Sequence, residues 1–196
     1  MKKFLALLTI IFVSLSSVAL AKKPIRIARL PIIIQRNILD AETAALLEVK
    51  IARAVNIPLN KTLKIAEYIS TRESKQALGT IWQRMRAQNR NAKLSDAVRI
   101  LADEIDADLV VCPFLQHYEQ RISPVSFSFE THLSSYVTAE MIVYDKSTGN
   151  LIDKRVSRRF SDNYNRFGTA SYLAGECIDQ LIQDTGLREL IRSKKG

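Results

Sequence analysis

Glycine is scarce in this chain, at six of 196 residues, and the scarcity excludes whole classes of chemistry. Phosphate cradles use glycine because backbone N–H groups must approach the ligand closely, and neither G-x-G-x-x-G nor G-x-x-x-x-G-K occurs. Cysteine and histidine are equally rare, at two each. One cysteine at a strand centre and one in mid-helix are poorly spaced for zinc or redox work. There is no G-x-S-x-G elbow, and neither histidine has an Asp or Glu placed in sequence to orient it. The acidic cluster Asp103, Glu104, Asp106 and Asp108 lacks the D-x-D-x-D-G spacing of a calcium loop and reads as a helix-to-strand turn. An enzyme is not expected.

The chain also lacks an apolar run long enough to cross a membrane. Its amino-terminal run, residues 4–13, follows Lys2 and Lys3 and leads through serines to Ala19-Leu20-Ala21, a small-x-small cleavage pattern. Residues 1–21 are therefore expected to be a signal peptide cleaved near Ala21, delivering the mature chain to the periplasm or cell envelope. No cysteine follows that site, so no lipid anchor is expected at the new amino terminus. Removing 21 of 196 residues leaves 175, enough for one domain with a substantial core. Basic residues outnumber acidic ones 29 to 20, and without Lys2 and Lys3 the balance is 27 to 20, or +7. A basic exported protein meets acidic proteins, anionic envelope polymers or lipid headgroups more readily than nucleic acid. The same charge also serves solubility alone.

What is present is periodicity. It lays out a single α/β (α+β) domain over residues 22–191, ahead of a basic tail at 192–196. Five strands are predicted, at residues 25–35, 62–69, 109–120, 136–144 and 151–160. About four helices accompany them. Asp40 caps the first, with Ala44, Leu47, Ile51 and Ala54 or Val55 inward. Ser70-Thr71-Arg72-Glu73 is a capping box for the second, which buries Leu78, Ile81, Trp82 and Met85. Leu94 and Ser95 open the third, and the fourth spans residues 170–184, closed by Gly186. Leu109 to Cys112 is unbroken apolar sequence, the mark of a strand covered on both faces. A mixed sheet of about five strands, packed with helices on at least one face, follows.

Two candidate sites stand out. Ser123-Pro124-Val125-Ser126 reads as a turn. Folding the chain there sets Tyr118 opposite Thr131, Glu119 opposite Glu130 and His117 opposite His132, with Ile122 facing Phe127 and Gln120 facing Phe129. Side-chain period two then gathers His117, Glu119, Glu130 and His132 on one face, a donor set suited to a divalent transition metal. The competing reading is a polar outer face over an apolar inner one. The second candidate is basic: Arg84, Arg86, Arg90 and Lys93 around the end of the second helix, with Arg155, Arg158 and Arg159 on the last strand. It reads as a partner-binding surface or as solvated charge. Cys112 and Cys177, expected at one strand–helix interface, are either a disulfide or two buried thiols, and the thiols are preferred.

Three segments in order carry a resemblance: IRIARLPIII, then LADEIDADLVVCP, then VYDKSTGNLI. Together they are similar to the small α/β module of TolB amino-terminal domains and of CsgG- and LpoB-like periplasmic proteins, over residues 25–184. The family often has glycine where Asp106 stands, and the basic helix and the His/Glu hairpin are not among its signatures. The resemblance implies a non-catalytic envelope module that docks other proteins or assembles with itself as a homo-oligomer.

Overall fold

The apolar run Leu109 to Cys112 does become the middle of the sheet. The computed structural model describes residues 24–34, 39–56, 66–124 and 130–194, so the expected signal peptide lies outside the described residues. In chain order the elements are β1 (Ile25–Arg29), β2 (Ile33–Ile34), α1 (Ala41–Val55), β3 (Ala66–Ile69), α2 (Thr71–Gln88) and α3 (Leu94–Glu104). Then come β4 (Leu109–Pro124), β5 (Thr131–Asp145), β6 (Asn150–Asn163), a 3-10 turn at Arg166–Gly168, α4 (Ala170–Asp184) and α5 (Leu187–Ser193). The sheet is mixed and runs β3-β1-β4-β5-β6, with β2 paired to β4. β3, β1 and β4 are parallel, whereas β4, β5 and β6 are antiparallel.

The single first strand expected over residues 25–35 is two strands. The break at Leu30-Pro31-Ile32 explains how Pro113 is tolerated inside β4. Leu30 donates its amide to the Val111 carbonyl at 2.9 Å, so Val111 and, two residues on, Pro113 aim their backbone groups at β1 and β2. β1 ends opposite Val111 and β2 starts opposite Phe114. Proline's missing N–H therefore falls where the ladder is already interrupted.

Helices cover both faces. On one, α1, α4 and α5 bury Ile27, Leu109, Val111, Leu115, Val137, Ala139, Met141 and Val143. On the other, α2 and α3 bury Ala28, Val110, Cys112 and Ile142. Each of the valine, leucine, isoleucine and methionine side chains among them is worth roughly 1.5–3 kcal/mol when fully buried. Cys112 and Cys177 belong to opposite faces of the sheet and are free thiols. That corrects the single interface expected for them and bears out the preference for buried thiols. Burial pushes the Cys112 thiol up to about 12 and the Cys177 thiol up to about 11, which leaves both unreactive at neutral pH.

Local signals held unevenly. Asp40 caps α1, its Oδ1 accepting the Thr43 amide at 2.7 Å. Thr43 takes the buried place expected for Ala44 and donates its hydroxyl to Ser171 of α4 at 2.8 Å. Ser70 does precede α2, but its side chain makes no capping bond, so the expected box does not close. Asp106 takes φ +50°, the left-handed helix exit that glycine usually fills. Arg26 donates to its carbonyl at 2.7 Å and to its carboxylate at 2.8 Å, and so helps hold it there.

Candidate functional site

The layer formed by α2 and α3 covers only part of its sheet face. Beyond Cys112 and Ile142 the strands β4, β5 and β6 run on with no helix among the described residues packed above them. A one-residue bulge at Gln116 governs what this open face presents, because β4 advances two residues from Leu115 to His117 while β5 steps from Ala139 to Thr138. The bulge switches the alternation, sending Tyr118 toward the α1–α4 layer and His117, Glu119 and Arg121 to the open side. Cross-strand pairing adds Tyr136, Thr138 and Glu140 from β5, and Arg155, Ser157 and Arg159 from β6.

This face is polar, and much of it is tied together. The Thr138 and Ser157 hydroxyls lie 2.9 Å apart, and the His117 and Tyr136 rings are 5.5 Å apart. Glu140 is its most enclosed carboxylate. It accepts from Gln116 and, at 3.0 Å, from Arg155. Burial holds its pKa above the ordinary value although Arg155 opposes the shift. Tyr136 and Arg159 are opposite each other and exposed.

The four candidate metal ligands are not brought together. The turn expected at Ser123–Ser126 is displaced: β4 continues to Pro124, which pairs with Thr131, and residues 125–129 lie outside the described residues. His117 is opposite Thr138 and His132 opposite Ser123. The two histidines therefore stand six residues apart along β5, roughly 20 Å. Glu119, opposite Tyr136, is as far from Glu130. His132 contacts Ser161 at 3.2 Å, and Glu130 accepts from Asn163 at 3.4 Å. The shared face was legible from period two, but the register was not, and a metal site depends on register. Among the described residues no cluster of three or more His, Cys, Asp or Glu side chains is placed to hold a metal ion.

The seven basic residues also divide. Arg155 and Arg159 point to the open face. Arg158, opposite Val137, points the other way and donates to Gln180 of α4. Arg84 pairs with Glu104 at 3.1 Å. Arg86 lies over the Trp82 ring, 5.6 Å from its centroid, and donates to the Arg90 carbonyl at 2.7 Å. No carboxylate among the described residues pairs with Arg86, Arg90 or Lys93.

Sequence reasoning missed a groove beside this second cluster. Its volume is about 650 Å³, and its walls are α2 (Lys75, Leu78, Gly79, Trp82, Arg86), Leu94 of α3, Ile33 and Ile34 of β2, and Phe114 of β4. The α2 positions are spaced three, four, seven and eleven residues from Lys75, which is one helix stripe. That spacing was visible in the sequence. The opposing wall was not, since it needs β2 to be a separate strand on β4. Phe114 is cross-strand from Glu140, so the groove leads onto the open sheet face.

No family model and no curated protein sequence matches the chain. Solved structures do. The PelC dodecamer from Paraburkholderia phytofirmans is 13% identical with a TM-score of 0.40, covering 84% of this chain and 88% of that one. Lipoprotein GNA1162 from Neisseria meningitidis is 14% identical with a TM-score of 0.37, covering 83% and 99%. The LpoB C-terminal domain from Salmonella enterica is 10% identical with a TM-score of 0.33, covering 73% and 90%. The expected likeness to LpoB-like domains thus has a counterpart among them, and the likeness to TolB domains rests on the sequence. None of these distant likenesses carries function to this chain.

Proposed function

We propose that this protein is a non-enzymatic accessory protein of the bacterial cell envelope that acts by binding other proteins. The observation that carries the reading is the half-covered sheet face: its exposed tyrosine and arginines adjoin an apolar groove, while the opposite face is closed by three helices. Arginine and tyrosine are among the side chains enriched at protein interfaces. Export is supported by the basic, apolar and small-residue order of residues 1–21. No helix among the described residues is long and apolar enough to cross a membrane.

The test is capture of envelope proteins on the immobilised chain at low and high salt. The expected result is retention at low salt that is lost at high salt and lost again in the double variant Arg121→Glu/Arg159→Glu, whose thermal melt stays that of the parent. Retention that ignores both salt and the variant would remove the open face as the binding surface. Light scattering on the same preparation shows whether one partner is a second copy.

A further inference from the structure

The groove along α2 has a charge pattern that specifies what fits it. Lys75 and Arg86 stand at its two ends on one stripe, with Leu78, Gly79 and Trp82 between them. Eleven residues of helix separate the cations by about 16 Å. Neither has a carboxylate partner among the described residues, whereas Arg26, Arg29, Lys50, Arg84, Arg155 and Lys194 all do. Trp82, Leu94 and Phe114 are only half-buried, so the apolar floor is left wet. A ligand that covers that floor and meets both cations gains from each feature.

We propose that this groove docks a short extended segment of a partner protein, apolar in its middle and acidic at both ends. The proposal rests on the reading of the chain as a protein-binding module and names the partner's chemistry at one site. An extended chain advances about 3.3 Å per residue and its side chains share a face only at even separations, so six steps set two same-face side chains about 20 Å apart, within reach of the long Lys75 and Arg86 side chains. A segment of seven residues with carboxylates on its first and last side chains, which share a face, therefore reaches the flexible ends of Lys75 and Arg86 together. An anionic lipid or fatty acid presents one headgroup per chain and satisfies one cation. The two-ended charge favours the peptide.

Gly79 makes the idea testable without disturbing the core. A Cβ added there meets nothing within 4 Å, so Gly79→Ala leaves the groove open, whereas Gly79→Trp fills it. The probe is a fluorescent peptide, acetyl-Glu-Leu-Phe-Ile-Leu-Val-Asp-amide, titrated into the chain and read by anisotropy. The same peptide with lysine at both ends and the soluble amphiphile decanoate are run beside it. The expected result is saturable binding of the acidic peptide alone. It weakens by about tenfold or more in Lys75→Glu/Arg86→Glu and in Gly79→Trp, and it is unchanged in Gly79→Ala. If Gly79→Trp does not melt like the parent, the charge-reversal variant decides.

Absence of binding at millimolar peptide, equal binding of the lysine-ended peptide, or binding indifferent to the charge reversal each overturns the proposal. So does decanoate that saturates a Gly79→Trp-sensitive site where the peptide does not. The two readings fail separately. Salt-sensitive capture that is lost in Arg121→Glu/Arg159→Glu, with no peptide binding, leaves the binding module standing and removes only this occupant.

Discussion

The two faces of the sheet are made by the same strands and end up with different work. On the face under α1, α4 and α5, alternate residues of β1, β4 and β5 are buried from Ile27 through Val143. On the other, apolar burial stops at Cys112 and Ile142, and the buried groups beyond them, Thr138 and Glu140, are polar and bonded to Ser157, Gln116 and Arg155. The closed face holds the fold together, and the half-open one can bind without a structural cost because its polar groups are not needed by the core. Two carboxylates on β5 show the difference in miniature. Asp145, toward the closed face, is pushed up by burial, yet bonds from Lys194 at 2.5 Å and from Ser147 outweigh that and lower its pKa. Glu140, at the boundary of the open face, has a net shift upward.

Breaking the closed face has the largest expected effect. Leu109→Ala removes a fully buried side chain and should cost about 2–5 kcal/mol in urea denaturation. Phe114→Ala, five residues along the same strand and half-buried in the groove wall, should cost clearly less. Equal losses would mean that the groove is part of the core and the two faces do not differ.

Next in size is Asp145→Asn. A carboxylate with a depressed pKa stabilises the folded state above its ordinary value of 3.8 and stops doing so as pH falls through the depressed value. The variant should lose about 1–3 kcal/mol at neutral pH, and its deficit should shrink below pH 3.8. A deficit that does not change with pH would show that the Lys194 pair is not its source.

Glu140→Gln should have the smallest effect and the opposite sign. With a raised pKa the folded state holds more protons than the unfolded one above 4.5, so the group's contribution falls as pH rises through that window. Replacing it with glutamine, which keeps a hydrogen-bonding amide, should stabilise the protein slightly at neutral pH, with the gain gone below 4.5. Destabilisation at every pH would mean that the Arg155 pair outweighs burial.

Most of the architecture was legible because it rests on local patterns. The helix at residues 170–184 and the Asp40 cap appear where sequence placed them. The first strand reads as one run in sequence, and only pairing with β4 shows that Leu30-Pro31-Ile32 divides it into two strands. The candidate site was half legible. His117, Glu119 and His132 do share one side of the hairpin, while on β6 Arg158 turns away from Arg155 and Arg159. The pairing of His117 with His132 was not to be had from Pro124, because a proline that looks like a turn also closes the end of a strand.

The sequence by itself determined which stretches are helical or extended over most of the chain and which stripes are apolar, since these follow from spacing along one element. Only the tertiary structure decided register, face and enclosure. Those depend on a single-residue bulge at Gln116, on β2 breaking from β1, and on where a layer of helices stops. Each is a relation between distant segments, and a change of one residue in any of them leaves the local pattern intact while moving the site.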